Sequence, residues 1–340
     1  MSNTAAAAPS AVDTDRPRRA PIALQRVLAT LVRREFWEHR ALWVVPLVVC
    51  VLLLISAALT QIGSGGYSRM PFGPFNWDPR RLPPNLADAH TVGIALYGLR
   101  QWMIGIPLYI AATIVIFFYL LSALYDERKD RSILFWKSLP VSDGATVASK
   151  LLVALVILPL GTFAVALVTN LLYTLIWSLR TSLGWVGGPH FIWDTLAWLK
   201  VEGLMLAILV LWVLWYAPMA AYLVLISAWA RRSVFLWALL PPIILAVVER
   251  VAFGTSHLGN MFIMRLSGIW TALGANYTTS AAFNGAQLNT YFGRVVYLPA
   301  VFDSMHWAEL FADARLWLGV VVAAVFTYAA VRLRRLRDDT

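Results

Sequence analysis

Residues 151–178 read LLVALVILPLGTFAVALVTNLLYTLIWS, a run of 28 residues without Asp, Glu, Lys, Arg or His. A helix needs about 20 mostly apolar residues to cross a hydrocarbon core about 30 Å thick. A helix of 28 residues would be about 42 Å long, at 1.5 Å per residue. This stretch therefore predicts a transmembrane helix and sets the class of the whole chain.

Five further segments of the same kind flank this run on both sides. Each is long and apolar, although Pro241 and Pro242 fall in the middle of the fifth span, and the sixth span is long enough only if it includes Asp313. The pattern predicts an all-α polytopic membrane protein with six transmembrane helices. The predicted spans are residues 41–62, 102–124, 151–178, 203–230, 233–253 and 310–333.

The composition of the 340 residues agrees with a membrane protein and excludes several soluble classes. Hydrophobic residues make up 60% of the chain and charged residues 14%, whereas about 25% charged is usual in soluble domains. The single cysteine, Cys50, rules out a disulfide scaffold. The net charge of +10 does not indicate a nucleic-acid partner, because no basic domain remains once the spans are set aside.

The distribution of basic residues predicts the orientation of the chain in the bilayer. Six spans place both termini on one side, and the segments on that side carry 18 of the 28 Lys and Arg residues. The opposite segments are longer in total and carry 10. The positive-inside rule therefore predicts that both termini are cytoplasmic.

The segments outside the spans differ in character. Residues 1–21 are predicted to be a disordered cytoplasmic tail, residues 22–333 a single transmembrane domain, and residues 334–340 a second tail. Residues 22–40 have helical apolar spacing and predict an amphipathic helix in the cytoplasmic interface; the alternative is a plain extension of the first span. The outer segments are 63–101, 179–202 and 254–309, and residues 261–283 are expected to form a re-entrant hairpin or surface helices.

The chain lacks the motifs of an enzyme. No phosphate-binding loop, dinucleotide fingerprint, zinc-protease motif or nucleophile elbow is present, so we expect no catalytic residue and no bound cofactor. Soft donors that could suit copper(I) occur in the last outer segment, but they fit an apolar interfacial face equally well and predict no metal site. These donors are His257, Met261, Met264, Met305 and His306.

Ionisable residues are absent from the first four predicted spans and occur near span ends on the outer side. Glu249 and Arg250 could form an outer gate, and the alternative is that such charges reach the headgroups or pair locally. Glu202 and Asp313 have similar positions. Without a buried relay of charges, transport driven by an ion gradient is not expected.

The loop between the second and third spans, residues 125–150, has the most distinctive pattern. Alternating acids and bases run to Arg131, and an apolar patch that includes Phe135 and Trp136 follows until Pro140 ends it. Exposed aromatic residues beside charges are typical of a protein contact. The alternative is an aromatic belt at the membrane surface.

Two cytoplasmic motifs resemble those of ABC-2 type transporter permeases. Residues 127–132 read ERKDRS and residues 135–143 read FWKSLPVSD, similar to the loop after the second span in that family. Residues 33–40 read RREFWEHR and are similar to its N-terminal interfacial helix. The resemblance covers the six-span layout, but the 39-residue first outer segment departs from the short turn that many members have.

The resemblance implies a permease without an ATPase of its own. Such a chain pairs with itself or with a related permease, and binds two copies of a separate ABC ATP-binding subunit that holds ATP and Mg. It implies a bacterial cytoplasmic (inner) membrane location and an export role, and the spans favour a hydrophobic or amphipathic substrate. The implied ATPase contacts are Glu127, Arg128, Asp130, Arg131, Ser132, Phe135, Trp136, Lys137 and Pro140, and the interfacial helix includes Arg33, Arg34, Glu35, Phe36 and Trp37.

The sequence is also compatible with two other classes of protein. One is a non-transporting membrane anchor or sensor that recruits the same ATPase. The other is an integral-membrane enzyme acting at the outer face through His190, Asp194, His257 or His306, although no spacing supports a catalytic dyad.

Overall fold

A computed structural model of the chain describes residues 24–59, 89–130, 141–184, 194–278, 287–288, 295–296, 302–303 and 305–336. Within these residues the protein is almost entirely helical, and the exception is an antiparallel pair of two-residue strands, β1 (Gln287–Leu288) and β2 (Val295–Val296). The helices are α1 Leu24–Glu38, α2 Ala41–Leu59, α3 Ala89–Ser122, α4 Tyr125–Lys129, α5 Asp143–Leu152, α6 Leu158–Ser182, α7 Thr195–Trp229, α8 Val234–Phe253, α9 His257–Thr278, α10 Trp307–Ala312 and α11 Ala314–Leu336.

Six helical segments of the described residues are long and apolar enough to cross a membrane, which confirms the six-helix prediction. A π-helical turn, Val153–Ile157, joins α5 to α6, so that residues 143–182 form one continuous helical segment. The other five candidate spans lie on α2, α3 continuing into α4, α7, α8 and α11. The protein is therefore a multi-pass, helical membrane protein.

Several helices extend beyond the predicted spans. Helix α3 begins at Ala89 rather than residue 102, and α7 begins at Thr195 rather than residue 203. Helix α11 begins at Ala314, whereas the predicted sixth span begins at residue 310; Asp313 separates α10 from α11, and its Oδ1 accepts a hydrogen bond from Arg315 N at 2.8 Å. For α3 and α7 the prediction followed charge-free windows, whereas a packed helix can continue through polar residues whose side chains have partners.

Local sequence explains where the helices begin and end. Ser142 caps α5 by accepting a hydrogen bond from Ala145 N at 3.1 Å, and Asp194 caps α7 by accepting one from Ala197 N at 3.0 Å. Helix α8 ends at Gly254, whose φ of +65° suits a residue without a side chain. The capping residues therefore set the starts of the long helices independently of their hydrophobicity.

The long helices alternate in direction. Contacts of α1 with α5, and of α5 with the end of α11, define what we call the α1 end of the bundle. Contacts between Tyr97 and Glu202, and between Arg180 and Ala57, lie at the opposite, far end. Both α1 and the C-terminal end of α11 are at the α1 end, an arrangement consistent with the expected placement of both termini on one side.

Much of the apolar surface faces outward. In α8 the buried residues are Val234, Ala238 and Glu249, while apolar side chains such as Ile243 and Val251 are exposed. Helices α2 and α11 have similar exposed apolar faces. An exposed apolar surface of this kind is favourable in contact with lipid and unfavourable in contact with water.

Candidate functional site

The α1 end of the bundle contains a buried group of charges centred on Lys150. This side chain is 1% exposed, and its Nζ lies 2.9 Å from Glu35 Oε1 and 3.1 Å from Glu127 Oε1. A buried ammonium group is tolerated when anionic partners contact it directly. Lys150, on α5, therefore connects α1 to α4 through two carboxylates.

Glu127 is the second centre of this group. It accepts hydrogen bonds from Arg34 Nη2 at 3.0 Å and from Arg334 Nη1 at 2.8 Å. Arg334 also donates to Asp143 Oδ1 at 3.0 Å. Three carboxylates and three cations thus neutralise one another, and we call them the α1-end charge cluster: Arg34, Glu35, Glu127, Asp143, Lys150 and Arg334.

Neutral and ionised neighbours fix the geometry of the cluster. Tyr119 Oη donates to Glu35 Oε2 at 2.9 Å, and the His39 ring packs edge-on against Tyr119 at 5.0 Å.

Burial by itself would lower the pKa of Arg34, but the hydrogen bond and charge of Glu38, together with the charges of the cluster carboxylates, raise the pKa of Arg34 above its usual value. Arg34 is therefore a permanent cation of the cluster.

The expected ATPase contacts have different surroundings along α4. Glu127 is buried, and Arg128 Nη2 donates to the carbonyls of Ser227 at 2.5 Å and Ala230 at 2.9 Å at the C-terminal end of α7. Asp126, Lys129 and Asp130 are exposed. In this structure Glu127 and Arg128 bind other parts of the same chain, so the exposed charges of this turn are those that a partner could reach.

The rest of the predicted contact loop falls outside the described residues. This applies to Arg131, Ser132, Phe135, Trp136, Lys137 and Pro140.

Helix α1 has one buried and one exposed face. Leu31 and Glu35 are buried, whereas Arg33 and Trp37 are exposed, Trp37 by 69%. Phe36 lies between these extremes. The apolar spacing of residues 22–40 predicts this helix, but the sequence gave no sign that Glu35 would meet Lys150, because the two residues are 115 positions apart.

A second buried polar group lies at the far end and was not predicted. Glu202, 6% exposed, accepts hydrogen bonds from Tyr97 Oη at 2.7 Å (to Oε1) and from Gln101 Nε2 at 3.0 Å (to Oε2). Asn170 Nδ2 donates in turn to Gln101 Oε1. The network therefore runs from α7 through α3 to α6.

Arg100 completes this network at its other edge. Its Nε donates to Asn170 Oδ1 at 3.1 Å and its Nη2 to Thr174 Oγ1 at 2.6 Å. The guanidinium also lies over the rings of Tyr97 and Tyr173, at 5.7 and 5.5 Å from their centroids. We call the hydrogen-bonded set the far-end polar network: Tyr97, Arg100, Gln101, Asn170, Thr174 and Glu202.

The two polar groups are separated by about the thickness of a hydrocarbon core. The distance along α3 from Tyr119 to Gln101 is about 27 Å, at a rise of 1.5 Å per helical residue. The distance from Lys150 to Asn170, along the continuous helical segment of residues 143–182, is about 30 Å. A hydrocarbon core is about 30 Å thick. The sequence placed Glu202 near a span end, and the structure shows that its carboxylate is buried there.

Glu249 and Arg250, the residues of the expected outer gate, both take part in hydrogen bonds to nearby residues of the same chain. The Glu249 carboxylate accepts hydrogen bonds from Thr255 Oγ1 at 2.8 Å, His257 N at 2.6 Å and Leu258 N at 2.7 Å. It therefore caps the first turn of α9, where a negative charge is favourable. Arg250 is exposed, and its carbonyl accepts from Gly254 N at 3.2 Å.

Helix α9 covers most of the stretch expected to be a hairpin or surface helices, and Arg265 attaches it to the bundle. The guanidinium lies 4.9 Å from the Trp215 ring centroid on α7 and donates to the Arg315 carbonyl at 2.7 Å. Trp215 Nε1 donates to the Arg265 carbonyl at 3.0 Å. A Cβ at Gly319 of α11 would lie 2.7 Å from Arg265 Cζ, so this glycine makes room for the arginine.

The soft donors of the metal hypothesis lie in different environments. Met261 and Met264 are exposed, Met305 is buried in an apolar cluster with Tyr97, and His306 lies 3.6 Å from Glu309. Among the described residues, Glu35, Glu38 and His39 are close enough to hold an ion. However, Glu35 already binds Lys150 and Glu38 binds Arg34, so cations of the protein occupy these carboxylates.

The residues of the rival enzyme hypothesis give no dyad in the part of the chain that is described. Asp194 caps α7, His257 N binds Glu249, and His306 faces Glu309, while His190 lies outside the described residues.

No family model, curated protein or solved structure matches this sequence. The fold and its two polar layers define a multi-pass helical membrane protein.

Proposed function

We propose that the chain is the membrane-spanning permease subunit of an ABC transporter, an exporter of a hydrophobic or amphipathic substrate. ATP is hydrolysed by two copies of a separate ATP-binding subunit, and the permease works as a homodimer or with a related chain. The α1 end faces the cytoplasm of a bacterial cell, in keeping with the 18 basic residues on that side.

The observation that carries this proposal is the attachment of α4 to the rest of the bundle. Glu127 on α4 is held by cations from three separate elements: Arg34 of α1, Lys150 of α5 and Arg334 of α11. Arg128 adds two hydrogen bonds to the end of α7. A displacement of α4 is therefore transmitted to four other elements.

This attachment suits a helix that receives force from an ATPase. Closure of the ATP-binding subunits would move the loop that starts at α4, and the charge cluster would carry the movement to α1, α5 and α11. A change of state needs contacts that differ between the two states. The exposed charges on α4 supply contacts to the ATPase, while the buried charges keep α4 attached to the spans.

The partner surface is tested by reversing the exposed charges of α4. Lys129→Glu combined with Asp130→Lys preserves net charge and leaves Glu127 and Arg128 untouched. We expect the permease to fold but to lose co-purification with its ATP-binding subunit in mild detergent by at least tenfold, and substrate-stimulated ATP hydrolysis with it. Ten-fold corresponds to about 1.4 kcal/mol of binding free energy.

The matched control is Glu309→Lys at the far end, where the carboxylate is 74% exposed and no ATPase is expected. This variant should co-purify and stimulate hydrolysis like the wild type. Assembly that survives the α4 reversal would refute the contact surface. Assembly with hydrolysis that no hydrophobic substrate changes would refute export and favour the membrane anchor. Absence of any nucleotide-binding partner in the wild-type preparation would refute the ABC assignment.

A further inference from the structure

The Glu202 carboxylate differs from the other buried carboxylates in the partners that contact it. Glu35 and Glu127 each touch Lys150 directly, at 2.9 and 3.1 Å. Among the described residues, the hydrogen bonds to Glu202 come from the neutral groups of Tyr97 and Gln101. Burial disfavours a charged carboxylate unless a cation compensates it, so the negative charge is stabilised at the α1-end charge cluster and poorly stabilised at Glu202.

The cation of the far-end polar network is directed away from Glu202. Arg100 donates to Asn170 and Thr174, and two carboxamides, those of Asn170 and Gln101, separate it from the carboxylate. Its charge therefore reaches Glu202 through polarised amides rather than through an ion pair.

The amide orientations follow from the arginine. Because the Arg100 Nε–H can only donate, Asn170 must turn Oδ1 towards it and Nδ2 towards Gln101. Gln101 then presents Nε2 to Glu202 Oε2, which must accept. The oxygen left to take a proton is Oε1, opposite the Tyr97 hydroxyl, which can either donate or accept.

We infer that Glu202 is a proton-binding site at the far end of the bundle, protonated on Oε1, with Arg100 as a positioning residue acting through Asn170 and Gln101. One proton from the solution converts the carboxylate into the neutral acid, and the Tyr97 hydroxyl turns from donor to acceptor. This site goes beyond the proposed permease function and does not depend on it.

In the part of the chain that the structure describes, the other charged groups near this site do not supply a direct counter-ion. Lys200, on the same helix, pairs with Asp303 at 2.5 Å, and His306 and Glu309 pair with each other at an exposed position. Among the described residues, the remaining titratable neighbours on the packed elements are tyrosines; the reference pKa of a tyrosine is about 10, so these side chains are neutral at physiological pH. They are Tyr97 and Tyr109 on α3 and Tyr173 on α6.

Infrared spectroscopy of the full-length chain in nanodiscs tests the proton site. The wild type should show the carbonyl band of a protonated carboxyl group at about pH 7, where exposed carboxyls are ionised. Glu202→Gln should remove this band, equivalent to one carboxyl per chain, and the exposed control Glu309→Gln should keep it. A wild type without the band, or a band that survives Glu202→Gln, would overturn the proposal.

Tyr97→Phe keeps the acid and provides a second test if Glu202→Gln does not fold. The hydroxyl donates to the charged form, so its removal should move the titration midpoint of the band to higher pH and change the band frequency. An unchanged midpoint and frequency would show that Oε1 is not the protonated atom.

The positioning role of Arg100 is tested by a double-mutant cycle on the same midpoint. Arg100→Gln should raise the midpoint in the wild-type background, because the amides lose the cation that polarises them. In an Asn170→Leu background the same substitution should have no further effect. An equal effect in both backgrounds would mean that Arg100 acts through space, which would refute the relay.

Discussion

Lys150 shows how strongly a single buried charge depends on its partners. The ammonium group is 1% exposed and contacts two carboxylates that lie on different helices. Replacing a whole buried ion group by apolar residues can be neutral, but removing one member leaves the others uncompensated. The sequence placed Lys150 at the end of the loop of residues 125–150 and gave no sign of these partners.

We predict that Lys150→Met lowers the free energy of unfolding by about 3–5 kcal/mol, because Glu35 and Glu127 lose their shared cation. Chemical unfolding in detergent, followed by circular dichroism, measures this change. Adding Glu35→Gln to the same chain should recover part of the loss by removing one of the two carboxylates.

The control is Lys200→Met, which breaks an ion pair with Asp303 that is 55% exposed at the aspartate. An exposed pair contributes less than about 1 kcal/mol. If the two lysine variants were equally stable, the α1-end charge cluster would not be a stabilising unit.

At the scale of elements, the attachment of α9 depends on a small residue in a neighbouring helix. Arg265 enters between α7 and α11, where Gly319 leaves room for its guanidinium. Gly268 of α9 has the same role towards Trp215, because a Cβ there would lie 2.8 Å from the indole ring. Helix α9 is thus attached to the bundle by the fit of large side chains against glycines.

We predict that Gly319→Ala displaces Arg265 and loosens α9, with faster hydrogen exchange of the α9 amides as the measurement. The added methyl group would overlap the guanidinium, and a packed interface yields to overlap by shifting its elements. Gly161→Ala on α6 is the control, since its Cβ would meet nothing within 4 Å and alanine favours a helix.

The same interface can be tested for mutual dependence. If the overlap is the cause, Gly319→Ala should have little further effect in a chain that already carries Arg265→Ala. Additive effects of the two substitutions would contradict this explanation.

At the scale of the whole molecule, two polar layers flank an apolar middle about 30 Å thick. The α1-end charge cluster lies at one boundary and the far-end polar network at the other. Cys50 lies in the middle of α2, about 14 Å along the helix from Ala41, and its Sγ is 3.0 Å from Thr169 Oγ1. Because a membrane-impermeant reagent does not reach Cys50, cysteines introduced at the surface can be labelled in the presence of the native one.

We predict that a membrane-impermeant maleimide leaves Cys50 unlabelled in sealed vesicles, because the reagent does not enter the hydrocarbon core. Arg40→Cys and Arg335→Cys should react from the cytoplasmic side and Ser182→Cys from the opposite side. All three positions are exposed, the first two at the α1 end and the third at the far end. Labelling of all three from one side would contradict the six-span topology.

The sequence by itself determined the class, the number of spans and the expected sidedness of this protein. Charge-free runs such as residues 151–178 predict membrane helices because the bilayer excludes unpaired polar groups, which is a local constraint. The capping residues Ser142 and Asp194 also act locally. The apolar spacing in residues 22–40 predicts a helix before the first span, and α1 occupies Leu24–Glu38.

The tertiary structure alone decided which polar residues are buried and with whom. Glu127 meets Arg334 over 207 positions of sequence, and Glu202 meets Tyr97 over 105. No periodicity records such pairs, because they form only when distant helices align their ends. For this reason the sequence could place these charges near span ends, while the fold determined that one carboxylate is surrounded by cations and the other is not.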